Sequence, residues 1–131
     1  MKHEIKYEKS VLCLKPFVDS VKSLIPFHRI VSIKGYKVRK GLDEKTDGCT
    51  WVDDKKRTFV VTLLTYSYVK SKKEHRPKTL HYILDTLAHE LAHTVHWEHT
   101  YKHYELNAKI ALKFAKVIKR LGIKDTGRRF D

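Results

Sequence analysis

Residues 78–106 read KTLHYILDTLAHELAHTVHWEHTYKHYEL, and this stretch decides how the rest of the chain is read. At about 100° per residue, Leu80, Ile83, Leu84, Leu87, Leu91 and Val95 fall on one side of a helix from about Lys78 to Trp97, which Pro77 can open. His89, His93 and His96 fall on the opposite side, near Tyr82 and Asp85, and Glu90 lies between the two faces. An ordinary surface helix carries common charges opposite its leucine stripe. Three histidines there imply that this side is enclosed as well.

Within the helix, His89-Glu90-Leu91-Ala92-His93 has the pattern H-E-x-x-H. Residues four apart sit one turn apart on the same face, so two imidazoles can converge on one Zn²⁺. Glu90 is turned aside from the metal, where it can act as general base toward a water that the metal activates. Zinc lowers the pKa of such a water to roughly 7. With nine histidines in the chain, a chance match is easier than usual. The placement on a well-patterned helix argues against chance. A catalytic zinc needs a third protein ligand and an open position. His96 is still on the expected helix and reads as a cleft residue. His99, just before the chain turns back, is the first candidate for the third ligand, and His103 is the alternative. No glycine lies between His93 and His99, so ordinary residues must make the turn. Asp85, one turn before His89, is a candidate hydrogen-bond partner for a ligand histidine, or simply an exposed carboxylate. Tyr101, Tyr104, His96 and His103 are candidate donors to developing oxyanion charge, although such residues more often serve packing.

Thr100 is the best N-cap for a last helix ending near Leu121, with Gly122 as its stop. Its inner face carries His103, Leu106, Ile110, Phe114, Val117 and Leu121. Its outer face carries Lys102, Lys109, Lys113, Lys116 and Arg120. Upstream, Ser10 to Leu24 is helical in spacing, with Pro16 in its first turn or interrupting it and Pro26 as its stop. Arg29 to Val38 reads as one or two strands around Gly35. Gly41 to Gly48 reads as a loop, Cys49 to Val52 as a strand and Asp53 to Lys56 as a hairpin turn. Thr58 to Thr65 is the strongest strand, apolar enough to be buried on both faces, and Lys70 to Arg76 reads as a polar loop.

The 131 residues fit a single domain, residues 1–131, able to bury a core without disulfides. Cys13 and Cys49 form no CxxC pair and read as two buried thiols in a reducing compartment. No signal peptide or membrane-length apolar run is visible, so an intracellular protein, cytoplasmic or nuclear and without a membrane partner, is expected, and as a monomer. The 28 Lys+Arg against 15 Asp+Glu give +13, a charge that attracts polyanions such as nucleic acid.

The segment LAHELAHTVHWEHTYKHYEL, Leu87 to Leu106, resembles the active-site region of the WLM and SprT-like metallopeptidases. Those families carry a HELxH helix, a third histidine just before the next helix, and then an aromatic residue. By position the resemblance implies His89, His93 and His99 as zinc ligands and Glu90 as the base. His103 stands where the family usually has Phe or Trp. The resemblance further implies a small zincin-like α+β domain with an N-terminal helix, a mixed, mostly antiparallel sheet, the HExxH helix and a C-terminal helix. In the zincin plan an edge strand binds extended substrate, and the strands from Cys49 to Thr65 are the candidates here. The implied activity is zinc-dependent peptide-bond hydrolysis, directed at DNA-associated or DNA-crosslinked proteins, with protein or peptide as substrate and the basic face of the last helix toward DNA. Two rivals stay open: a zinc hydrolase acting on another amide or ester, and a nucleic-acid-binding domain whose zinc is closed off by four histidines.

Overall fold

The computed structural model describes residues 5–25, 30–37, 47–53, 58–124 and 127. The expected helix stop at Pro26, most of the loop before Gly48, the turn after Asp53, and residues 29 and 38 at the ends of the expected second strand lie outside them.

The protein is α+β. Among the described residues, six strands and three α-helices follow one another as β1 (Ile5–Tyr7), α1 (Lys15–Ser20), β2 (Ile30–Tyr36), β3 (Gly48–Asp53), β4 (Thr58–Leu64), β5 (Tyr66–Val69), β6 (Glu74–Pro77), α2 (Leu80–His93) and α3 (Tyr101–Arg120). A four-stranded sheet runs in the order β1-β2-β4-β3, and β5 and β6 form a separate antiparallel hairpin. Strands β1 and β2 pair in parallel, as do β2 and β4, while β3 runs antiparallel along the edge of β4. The main sheet is therefore mixed but mostly parallel, a correction to the antiparallel expectation. Apolar periodicity reports which faces of a strand are buried; a run buried on both faces, as in β4, is common in parallel sheets but does not by itself fix the direction of a neighbour.

Burial follows the patterning closely. Residues 60–65 of β4 and its end are all buried, as a strand between two others and under helices requires. Leu80, Ile83, Leu84, Leu87 and Leu91 of α2 join Val11, Leu14, Phe17, Val18 and Val21 and, from α3, Leu106, Ile110, Phe114 and Val117 in one core. The Phe17 and Phe114 rings meet edge to face at 5.7 Å. Leu121, expected inside, is exposed, because α3 ends at Arg120 and the chain turns at Gly122 with φ +69°.

Four further expectations are revised. The N-terminal helical stretch is split: residues 9–14 and 22–24 are 3-10 turns flanking the short α1, with Pro16 in its first turn. Helix α2 starts at Leu80 rather than Lys78. Pro77 closes β6, and the Thr79 hydroxyl caps α2 by accepting the Tyr82 N–H at 3.3 Å. The expected loop at residues 70–76 is a 3-10 turn leading into β6, turned at Lys73 with φ 51°. Its strands are half-exposed and polar, so they lack the apolar alternation that marks a strand in sequence. The thiols are not buried either: Cys13 is exposed and Cys49 half-buried, and neither forms a disulfide.

Among the described residues no helix is long and apolar enough to cross a membrane.

Candidate metal centre

Helix α2 ends at His93, with Thr94 as its C-cap and the Thr94 hydroxyl bonded to the Leu91 carbonyl at 2.6 Å. Val95 and His96 then fold back through bonds from both N–H groups to the Ala92 carbonyl. Between here and Thr100, the N-cap of α3, no residue has positive φ, so no glycine is needed. This early exit removes His96 from the helix and returns the chain so that His99 lies over His89 and His93.

The result is a triangle of imidazole nitrogens. His89 Nε2 and His93 Nε2 are 3.1 Å apart, His93 Nε2 and His99 Nε2 3.1 Å, and His99 Nε2 and His89 Nε2 3.2 Å. The centre of such a triangle is about 1.8 Å from each corner, so an ion at the usual ~2.0–2.1 Å zinc–nitrogen distance fits against it. Three neutral nitrogens at this spacing need a shared cation or shared protons, since facing lone pairs repel. The donor set suits zinc, copper or nickel better than magnesium or calcium.

Helix geometry and the fold-back also fix the tautomers. His93 Nδ1 lies 3.3 Å from the His96 carbonyl oxygen, which only accepts, so Nδ1 carries the proton and Nε2 presents its lone pair to the triangle. His96 thus serves the site through its backbone. His103, in the first turn of α3, is fully buried. Its Nε2 donates to the His89 carbonyl at 3.1 Å, and its Nδ1 has no partner among the described residues. Its ring packs 4.2 Å from that of His93. His89, His93 and His103 have ring nitrogens within 4.8 Å of one another, close enough to hold a metal ion. The His89–His93–His99 triangle is tighter.

Electrostatics favour the neutral imidazole at His89 and at His103. Burial, helped by His93, His103 and His99, lowers the pKa of His89 to about 4. Burial also lowers that of His103, against the bond it makes to the His89 backbone.

Glu90 is buried on the sheet side of α2. The Thr50 hydroxyl of β3 donates to its Oε1 at 2.8 Å and lies 3.0 Å from its backbone oxygen. Burial raises the Glu90 pKa, opposed first by this hydrogen bond and then by His93 and His99. Cys49, next along the strand, has its thiol pKa raised by burial and by Glu90.

A cavity of about 570 Å³ opens in front of the triangle, bounded by His89, Glu90, Thr86, Tyr82, Asp85 and Asp47. Asp47 is held there by Lys78 Nζ at 2.7 Å and the Tyr82 hydroxyl at 2.8 Å. Asp85 bonds none of the clustered histidines; it is exposed, 3.3 Å from His81. Tyr101 and Tyr104 are exposed side chains of the first turn of α3. Sequence reasoning named His89, Glu90, His93, His99 and His103 for this site but missed Thr50, whose hydroxyl arrives from 40 residues away.

No protein-family model, curated protein or solved structure matches the chain.

Proposed function

We propose that the protein is a zinc-dependent metallopeptidase of the WLM/SprT-like kind, with His89, His93 and His99 holding the metal and Glu90 as general base. The observation that carries the reading is the triangle of three Nε2 atoms 3.1–3.2 Å apart, beside a buried carboxylate and open to a cavity. Zinc, when bound, polarises a scissile carbonyl and lowers the pKa of an attacking water to roughly 7. The chain's own residues do the rest. Glu90 takes a proton from the water and returns it to the leaving amine. Its raised pKa brings it closer to the neutral range in which a base works best. The His96 carbonyl orients the His93 ring, and the buried His103 packs against that ring.

The engagement of His103 Nε2 with the His89 carbonyl keeps that nitrogen from closing a four-histidine site. Protein substrates carried on nucleic acid are the favoured class. The +13 charge supports this, and so does the exposure of Lys102, Lys109, Lys116 and Arg120 on α3.

The test is zinc content together with casein and histone cleavage, with and without single-stranded DNA, for wild type and Glu90→Gln. One zinc per chain in both proteins, with cleavage lost only in the variant, is the expected result. One zinc without cleavage under any condition favours a structural site, and no zinc at all removes both readings.

A further inference from the structure

We propose that Thr50 is a positioning residue for the reaction: from the edge strand β3 it grips Oε1 of Glu90, so that Oε2 is the oxygen that meets the water. This deepens the metallopeptidase reading and rests on it. A glutamate has three side-chain torsions, and a base that wanders by about 1 Å can lose on the order of 100-fold in rate. Among the described residues Glu90 has no Lys or Arg partner, and the Thr50 hydroxyl is the side-chain group that holds it.

The strand is built to bring that hydroxyl in. Thr50 stands opposite Val61 and Gly48 opposite Leu63 in the β3–β4 register. Side chains two apart share a face, so positions 48 and 50 both look toward α2. A Cβ on Gly48 would lie 2.7 Å from Thr86 Cγ2 and 3.1 Å from Glu90 Cγ. Glycine at 48 therefore lets β3 approach the helix closely enough for Thr50 to reach the carboxylate. One hydroxyl offers one proton, and the shorter contact is to Oε1. Grip and approach are separate observations that converge on the same carboxylate.

The experiment uses the zinc-loaded protein and the variants Thr50→Val, Thr50→Ser, Glu90→Gln and Thr50→Val/Glu90→Gln. Casein cleavage gives kcat and KM. Acetohydroxamate binding gives a readout independent of turnover, because its hydroxyl proton needs a carboxylate acceptor beside the metal. Thr50→Val is expected to lower kcat about 10- to 100-fold with little change in KM. It should weaken acetohydroxamate about tenfold, the worth of one hydrogen bond to a charged group. Thr50→Ser should restore both. In the Glu90→Gln background, Thr50→Val should weaken acetohydroxamate no further, the signature of two residues acting as one unit. Wild-type kcat and acetohydroxamate affinity in Thr50→Val would overturn the proposal. So would independent, multiplicative losses in the double variant, which mark a general effect on the strand. Coupling between Thr50 and Glu90 in acetohydroxamate binding, with no cleavage by wild type, would remove the peptidase reading and leave the seat for Glu90 standing.

Discussion

His99 Nε2 lies 3.2 Å from His89 Nε2, across a fold-back that begins where α2 stops at His93. His103, one helical turn farther along the chain, turns its Nε2 to the His89 carbonyl instead. The two histidines should therefore behave differently when replaced. His99→Ala, at an exposed position, is expected to weaken zinc binding by at least about 100-fold without unfolding the core. His103→Phe is expected to cost no more than about 10-fold, within the range of residues that act on ligands from behind. Competition against a chromophoric chelator measures both. A loss in His103→Phe as large as that in His99→Ala would make His103 a ligand.

Metal removal should expose how much of the stability is borrowed from the ion. A ligand that binds only the folded state adds about 2.7 kcal/mol at a free concentration 100 times its Kd. For a chain of this length that corresponds to roughly 10 °C in Tm. Thermal unfolding with and without a strong chelator should show a drop of this size in wild type and almost none in His99→Ala. Equal responses in the two proteins would place the stabilising ion elsewhere.

The core and the site were legible in the sequence to different depths, for physical reasons. The leucine stripe of α2 and the apolar run of β4 are local patterns, and both are buried as their periodicity demands. The H-E-x-x-H spacing is likewise local, since one helical turn fixes it. Strand direction is not local: the continuous apolar run of β4 is typical of a parallel strand but does not by itself fix the direction of β1, β2 or β3. The three-residue β1 was too short to show alternation. The end of α2 was missed because Val95 continues the apolar stripe past the point where Val95 and His96 both bond to the Ala92 carbonyl. Thr50 and the Asp47–Lys78 pair join residues 31 to 40 positions apart, a distance that sequence periodicity does not cover.

The acid side of the stability profile carries the signature of the half-buried His89 and the buried His103. In the metal-free protein the His89 pKa is lowered from 6.5 to about 4, and that of His103 is lowered as well. Between those values the unfolded chain binds more protons than the folded one, so stability is present above about pH 6.5 and is lost as pH falls toward 4. Glu90 works in the opposite sense. Its pKa is raised by burial, so its charge burdens the folded state at neutral pH and the burden fades as the group protonates. Chelated wild type should lose Tm steadily from pH 6.5 to 4. Chelated Glu90→Gln should start a few degrees higher at pH 7 and fall more steeply. A Tm that rises on acidification in Glu90→Gln would contradict neutral, buried histidines.

Gly48 should be the least replaceable small residue near the site. An added Cβ would meet Thr86 Cγ2 at 2.7 Å, the Thr62 carbonyl oxygen at 3.0 Å and Glu90 Cγ at 3.1 Å. Thr62 is backbone in the central strand and cannot yield, and the β-branched Thr86 is stiff within its helix. The φ of Gly48 is not positive, so the effect is one of space and not of backbone strain. Overpacking of this kind costs about 1–3 kcal/mol, and Gly48→Ala is expected to lower Tm by roughly 5–10 °C. The shift should also pull Thr50 away from Glu90 and reduce turnover beyond what the loss of folded protein explains. Thr86→Ser removes the nearest methyl while keeping the hydroxyl that bonds the Tyr82 carbonyl at 3.1 Å. Combined with Gly48→Ala it should return part of the lost Tm. An unchanged Tm in Gly48→Ala would mean that β3 does not approach α2 as closely as the Thr50–Glu90 hydrogen bond requires.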